Sequence, residues 1–336
     1  MAADLLRKGC VVALPTETVY GLAALADRPA ARARLLDLKR RSPEKPLTQA
    51  FPAEDAAFQA AARPTSLARR LARRYWPGPL TLVVDGKRGG TIGLRVPGNG
   101  LTRSVLERAG GAVLLPSANP EGQSPALDRE QVLRYFAGKL AAVVDDGVAP
   151  LGQSSTVVLA TRDSFQVLRE GVLTAAEIEA AGIRRVLFVC AGNTCRSPMA
   201  EALFRRALSR AEGVEVSKLA VAGFVVGSAG AEAADGAPAS SGALHAMMLR
   251  KLDLGGHRSR LLTPELLAAQ DQVFCMTRYL RDSLQAVAKD PQRIELFDPS
   301  GRDVVDPYGG SNEVYERCAE QLEGAVSERV AEVREG

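Results

Sequence analysis

The sequence predicts a two-domain α/β protein. Residues 1–182 read as a twisted α/β sheet domain and residues 183–336 as a doubly wound domain on a parallel sheet. Three observations predict this. At 336 residues the chain exceeds the size at which one hydrophobic core usually stops growing. From Cys10 onward, short β-branched or apolar runs alternate with Ala/Leu/Arg-rich helical stretches. A helical stretch over 175–181 ends at Gly182, and a fresh strand, Arg184-Arg185-Val186-Leu187-Phe188-Val189, starts at once and sets the boundary.

In the first half the expected strands cover 11–14, 80–84, 112–115 and 156–159. Beyond the boundary the order is strand, loop, a helix over 197–210, then further strand and helix pairs. Gln272-Val273-Phe274-Cys275-Met276 reads as a buried strand, and 311–333 as a long terminal helix. The Gly/Ala/Ser stretch over 227–242 has strongly patterned flanks, so it reads as a loop and not an interdomain linker.

Apolar residues at 46% and charged residues at 24% describe an ordinary globular chain, which excludes disordered and membrane-spanning classes. A formal charge of +4 with both signs interspersed gives little support for nucleic acid as a direct partner. Met1-Ala2-Ala3-Asp4 opens no targeting segment and no apolar run reaches membrane length, so the expected location is cytoplasmic. Five cysteines lack framework spacing, there is no CxxC pair, and His245 and His257 are the only histidines. Reactive or buried thiols are expected in place of structural disulfides, and no protein metal site is assigned.

Val189-Cys190-Ala191-Gly192-Asn193-Thr194-Cys195-Arg196-Ser197-Pro198 joins a buried strand to a helix, with Pro198 suited to the first turn. Five residues between Cys190 and Arg196 let successive N–H groups of Ala191, Gly192, Asn193, Thr194 and Cys195 and the helix N-terminus point at one anion. Gly192 and Asn193 tolerate the left-handed conformations such a curl requires. The helix dipole, the amides and Arg196 would stabilise Cys190 as a thiolate, and Ser197 would donate to it. Arg196 can hold two phosphoryl oxygens at once, which lysine cannot. Phosphoryl transfer to sulfur also needs a proton for the leaving group, and Asp306, extended by Pro307, is the candidate acid. Ionised after the first step, the same carboxylate could activate water against the phosphocysteine. Cys195 could pair reversibly with Cys190 against over-oxidation, or be a small filler side chain.

The segment 186–202, Ser228-Ala229-Gly230 and Asp306-Pro307-Tyr308 together resemble low-molecular-weight protein-tyrosine phosphatases, over essentially residue 184 to the C-terminus. The resemblance implies Cys190 as nucleophile, Arg196 as phosphate clamp, Ser197 as thiolate donor and Asp306 as general acid, with Asn193 shaping the loop and no cofactor. Thr194 and Asp306-Pro307-Tyr308-Gly309-Gly310-Ser311 resemble the protein-arginine-phosphatase branch, so phosphoarginine is expected ahead of phosphotyrosine on a phosphoprotein substrate. Ser217-Lys218-Leu219-Ala220-Val221-Ala222-Gly223-Phe224 is longer than the short forms of the family and is expected to reshape the pocket rim.

In the first half, Leu14-Pro15-Thr16-Glu17-Thr18-Val19-Tyr20-Gly21-Leu22 follows a strand with hydroxyls, a carboxylate and a glycine, suited to a polar site at a strand end. Lys39-Arg40-Arg41, Trp76-Pro77-Gly78-Pro79, Gly93-Leu94-Arg95 and Ser117-Ala118-Asn119 follow in order. Alone, Lys39-Arg40-Arg41 reads as a solvated helix end, and Trp76 as a core anchor.

As an ordered set these segments resemble the YrdC-like threonylcarbamoyl-AMP synthases, over roughly residues 2–181. The resemblance implies ATP with Mg2+, L-threonine and bicarbonate as reactants, with the product serving adenosine 37 of tRNA, so tRNA is an indirect partner. It places Lys39, Arg41, Ser117 and Asn119 on the nucleotide. The carbamate oxygen must attack the α-phosphorus, bringing anions together, so cations are required, and Lys39, Arg41 and Arg95 are candidates. Ser155, Thr156 and Arg169 are expected over the triphosphate, and Thr16 at the threonine. After Lys45-Pro46-Leu47 the family usually continues as an apolar strand, and here Thr48-Gln49-Ala50 follows. The alternative for this half is a non-catalytic RNA-binding module beside an active tyrosine phosphatase. No coupling between the two halves is inferred.

Overall fold

The computed structural model describes residues 1–42, 44 and 46–335. Lys45 of the Lys45-Pro46-Leu47 segment lies outside these residues. The chain divides into two compact units, Met1–Gly182 and Ile183–Gly336.

The first unit is built on β1 (Val12–Leu14), β2 (Gly21–Leu25), β3 (Thr48–Ala50), β4 (Leu80–Asp85), β5 (Thr91–Arg95), β6 (Val113–Leu114), β7 (Ala142–Val143), β8 (Thr156–Ala160) and β9 (Phe165–Arg169). They form one mixed sheet in the order β7-β1-β2-β6-β3-β5-β4-β8-β9. Thr48-Gln49-Ala50 is polar for a strand, yet β3 pairs with β5 on one edge and β6 on the other. Backbone pairing on both edges, not side-chain hydrophobicity, holds it there. The helices Ser66–Tyr75 and Gly100–Ala109 start on side-chain caps: Thr65 accepts from the Ala68 N–H and Asn99 from the Thr102 N–H. Trp76 is a core anchor; its Nε1 donates to the Leu80 carbonyl at 2.8 Å and its ring packs 5.5 Å from Phe58.

The second unit holds β10 (Arg184–Cys190), β11 (Phe224–Gly230), β12 (Gln272–Cys275) and β13 (Ile294–Leu296), all parallel, in the order β11-β10-β12-β13. Val186, Phe188 and Cys190 join the core formed with the helices Arg196–Glu212, Ser241–Leu249 and Asn312–Glu335. Leu187 and Val189 pack on the opposite face with Leu267 and Leu280, from the helices Pro264–Ala268 and Arg278–Gln285. Apolar side chains on both faces are what a parallel sheet covered on two sides demands. The strand order reverses at β10, so a crevice opens beyond its C-terminal end, where Cys190 stands.

Two expectations need correction here. Residues 227–230 belong to β11 and residues 241–242 begin the helix Ser241–Leu249, so the loop covers only 231–240. The small residues serve close approach, not flexibility. A Cβ on Gly230 would lie 2.4 Å from the Ala191 carbonyl oxygen, and one on Gly242 would lie 2.3 Å from the Tyr315 ring. The longer segment over 217–224 does not reach the pocket rim. It forms the short 3-10 turn Val216–Lys218 and enters β11 opposite Arg184, at the N-terminal end of the sheet. That end is roughly 20 Å of strand away from Cys190, and Leu219 and Phe224 are buried in the core.

Candidate active sites

In the second unit the strand-to-helix turn wraps around one sulfur. Cys190 is 2% exposed; its Sγ accepts the Asn193 N–H at 3.2 Å and lies 3.0 Å from Ser197 Oγ. Asn193 Nδ2 donates to Ser197 Oγ at 2.9 Å, so the Ser197 hydroxyl proton is shared between the sulfur at 3.0 Å and the Ala229 carbonyl at 3.5 Å. Asn193 has φ +53°, the left-handed conformation that turns the loop amides inward. A ring of partners holds it there. Its Nδ2 donates to Ser228 Oγ at 2.9 Å, its Oδ1 accepts the Arg260 N–H at 3.0 Å, and its carbonyl lies 2.7 Å from His257 Nε2. Ser228 in turn donates to Glu201 Oε2 at 2.8 Å.

Arg196 opens the helix Arg196–Glu212. Its Nη2 donates to Asp306 Oδ2 at 2.7 Å and its Nη1 to the Val304 carbonyl at 3.3 Å. Its Nε is buried with no hydrogen-bond partner among the described residues. Thr194 is half-buried, with its carbonyl accepting the Ser240 N–H at 2.9 Å. Cys195 Sγ donates to Ser240 Oγ at 3.3 Å and lies 3.4 Å from the Tyr315 hydroxyl. All five cysteines are free thiols. Burial, reinforced by the contact with Cys195, pushes the Tyr315 phenol up to about 12. The structure thus gathers the sulfur, the guanidinium, the hydroxyl and the carboxylate that the sequence singled out. Thiolate attack, anion clamping and proton donation have their groups within one crevice.

The first unit holds a cavity of about 530 Å³, walled by alternate residues of β4, β5 and β8 together with loops. Thr16, Arg41, Arg95, Ser117, Ser155 and Arg169 line it. Lys39, Asn119 and Thr156 are not among its walls and stand behind them. Lys39 is 3% exposed, not solvated, and its Nζ donates to the carbonyls of Ser117 at 2.6 Å and Asn119 at 2.9 Å. Burial first, and then the Arg41 cation, bring its ammonium down to about 8. Asn119 Oδ1 accepts the Ser117 hydroxyl at 2.6 Å. Thr156 Oγ1 donates to the Leu173 carbonyl at 2.6 Å and accepts the Gly171 N–H at 3.0 Å, closing the turn that carries Arg169 back.

Cations converge on this cavity. Burial, then the neighbouring Arg95 and Arg41 charges, hold Arg169 below the usual guanidinium range. Arg169 Nη2 donates to the Ser155 carbonyl at 2.8 Å, and Arg41 Nε is buried with no hydrogen-bond partner among the described residues. Arg95 Nη2 donates to Glu17 Oε1 at 2.7 Å and Thr18 Oγ1 at 2.8 Å. Glu17 also accepts the Gly98 N–H at 2.7 Å. Thr16 Oγ1 donates to the Val19 carbonyl at 2.5 Å and caps its own turn. No Asp or Glu side chain is among the described wall residues, so the arginines outnumber their counter-charges.

Sequence reasoning missed the supports. Glu17 and Thr18 carried no assigned role, although both fall within a quoted motif. Arg260, His257, Ser240 and Tyr315 come from elements far along the chain, and nothing local to them signals their contact with the cysteine loop.

A cation-lined cavity on a mixed sheet, together with a thiol and guanidinium anion cradle on a parallel sheet, defines a two-site α/β protein built to handle anions. The family model described as telomere recombination, of the Sua5, YciO and YrdC proteins, matches residues 4–171. That of low molecular weight phosphotyrosine protein phosphatases matches residues 185–336. The chain belongs to the first family in its N-terminal half and to the second in its C-terminal half. A threonylcarbamoyl-AMP synthase from Pyrococcus abyssi is 34% identical over 188 residues, covering 53% of this chain and 55% of that protein. A protein-arginine-phosphatase from Bacillus subtilis is 37% identical over 146 residues, covering 41% of this chain and 89% of that one. Among solved structures, a doubly substituted Sua5 from P. abyssi matches with a TM-score of 0.51 at 30% identity, covering 56% of this chain and 65% of that one. The chain spans about half the length of the first curated synthase relatives it matches. No helix among the described residues is long and apolar enough to cross a membrane.

Proposed function

We propose that the chain is a bifunctional enzyme. Its N-terminal half forms threonylcarbamoyl-AMP from L-threonine, bicarbonate and ATP, and its C-terminal half dephosphorylates a phosphoprotein through phosphocysteine. The observation that carries the phosphatase reading is the convergence of Cys190, Arg196, Ser197 and Asp306 beyond the end of β10. The Cys190 thiolate attacks phosphorus as the bond to the leaving group breaks, and Asp306 gives that group its proton. Arg196 exchanges its carboxylate partner for phosphoryl oxygens and holds them through the transition state. Water then attacks phosphorus, Asp306 takes its proton, and the S–P bond breaks to return the thiolate.

In the first half, the Arg41, Arg95 and Arg169 charges suit a triphosphate and the carbamate that must approach it. Lys39 and Asn119 act by holding Ser117 in the wall. The described walls offer hydroxyls and no carboxylate, so Mg2+ fits as an ion carried on the ATP phosphates and keeping its waters. The product would feed modification of adenosine 37 in tRNA. The test is threonine- and bicarbonate-dependent pyrophosphate release from ATP. Protein that is active as a phosphatase yet releases no pyrophosphate leaves the first half as an RNA-binding module.

For the second half, phosphoarginine is proposed ahead of phosphotyrosine, supported by Thr194 on the cradle and by the 37% identity to a protein-arginine-phosphatase. Side-by-side assays with wild type and Thr194→Ile decide it. Ready hydrolysis of phosphotyrosine peptides with phosphoarginine untouched rejects the preference. Unchanged preference in the variant rejects Thr194 as its source.

A further inference from the structure

Asp306 sits in a stretch, 302–307, without regular secondary structure. Its register therefore depends on how the residues just before it are tied down. Val304 is tied directly: its N–H donates to the Met276 carbonyl at 2.8 Å and its carbonyl accepts from Arg196 at 3.3 Å. The Asp303 side chain accepts the Arg278 N–H at 2.8 Å, and the backbone on either side of Val304 is bridged by one side chain from the helix Asn312–Glu335. Gln321 Nε2 donates to the Asp303 carbonyl at 3.0 Å, and Gln321 Oε1 accepts the Val305 N–H at 3.3 Å. The same Nε2 donates to Asp298 Oδ2 at 3.0 Å, and Asp298 is buried and held by the Ser300 N–H at 2.9 Å. A planar amide is suited to this task because it donates and accepts at once. A carboxylate in its place could not donate, and would face Asp298.

We propose that Gln321 is a positioning residue that sets the reach of Asp306 toward the leaving-group oxygen. This rests on the reading of Asp306 as the proton donor. A general acid matters most when the leaving group is basic and least when it departs readily as an anion. Loss of positioning is therefore read as leaving-group dependence, which a merely structural role would not produce.

The experiment uses the full chain and measures kcat/KM on phenyl phosphate and on p-nitrophenyl phosphate, whose leaving group is the weaker base. Wild type, Asp306→Ala, Gln321→Met and Gln321→Glu are compared, with vanadate inhibition reporting the cysteine loop. Gln321→Met is expected to lose on the order of tenfold on phenyl phosphate, a tenth or less of the full effect of a general acid, and less than about threefold on p-nitrophenyl phosphate. Vanadate should bind it at least as tightly as wild type. Gln321→Glu keeps the acceptor for Val305 but neither donor, and is expected to show the same bias. Equal losses on both substrates, no loss on either, or weakened vanadate binding overturns the proposal. If Asp306→Ala itself shows no leaving-group bias, the assignment of the acid fails, and the role of Gln321 falls with it.

Discussion

Arg196 Nη2 lies 2.7 Å from Asp306 Oδ2, so the guanidinium that would clamp a phosphoryl group already holds the carboxylate that would protonate the leaving group. The two ends are unequally exposed: the Arg196 side chain is 7% accessible and that of Asp306 is 52%. An incoming anion must therefore compete with a half-solvated partner for a buried cation. Asp306→Asn removes that competition and leaves the cation uncompensated. Vanadate is expected to inhibit this variant several-fold more tightly, while kcat/KM falls by about 10²–10⁴. Inhibition constants and turnover measured on one preparation check both directions.

Asn193 combines a φ of +53° with a side chain that donates to Ser197 and Ser228 and accepts the Arg260 N–H. Asn193→Ala strains the left-handed position and strips partners from buried groups, so the second unit is expected to lose about 2–4 kcal/mol. Asn193→Gly relieves the backbone strain and should lose less, while both variants lose vanadate affinity. Trp76, the single tryptophan, belongs to the first unit, so the unfolding of the second must be followed by circular dichroism or proteolysis.

Lys39 gives the first unit a pH signature. Its ammonium is held at about 8, below the ordinary 10.5, by burial and by Arg41. The folded chain thus releases this proton more readily than the unfolded chain, and the Lys39 contribution to stability rises with pH between about 8 and 10.5. A bound triphosphate favours the cation, so ATP affinity should fall as pH climbs above about 8, with net proton uptake on binding. Titration calorimetry in buffers of different ionisation enthalpy reads that uptake. Affinity that stays flat from about pH 7 to 9.5 contradicts it. Arg41→Ala should move the transition upward.

How much of this was legible depends on how locally each feature is encoded. The cradle from Cys190 to Arg196 was readable because one strand-to-helix turn supplies its groups and spacing alone curls the backbone around the anion. Asp306 was readable as chemistry the thiolate needs and through the Asp306-Pro307-Tyr308 segment that carries the resemblance. Its tie to Arg196, and the hold of Gln321 on its neighbours, arise from packing between elements far apart in the chain. In the first half the structure puts six of the nine expected residues on the cavity wall and three behind it. Lys39, Asn119 and Thr156 stand behind the wall and bond mainly to backbone, with Asn119 also accepting the Ser117 hydroxyl, and no sequence spacing separates a wall position from a support behind it. The stretch over 227–242 misled because glycine that admits a neighbouring backbone looks the same in sequence as glycine that bends a loop.

The central claim is that one chain carries two separate catalytic sites, and the direct measurement is a crossed assay. Full-length Cys190→Ser and Arg41→Ala are each tested for phosphatase turnover and for threonine- and bicarbonate-dependent pyrophosphate release. Cys190→Ser is predicted to lose only the first activity and Arg41→Ala to lose the second while keeping the first. Pyrophosphate release that is absent from phosphatase-active wild type, or that disappears along with Cys190, contradicts the account.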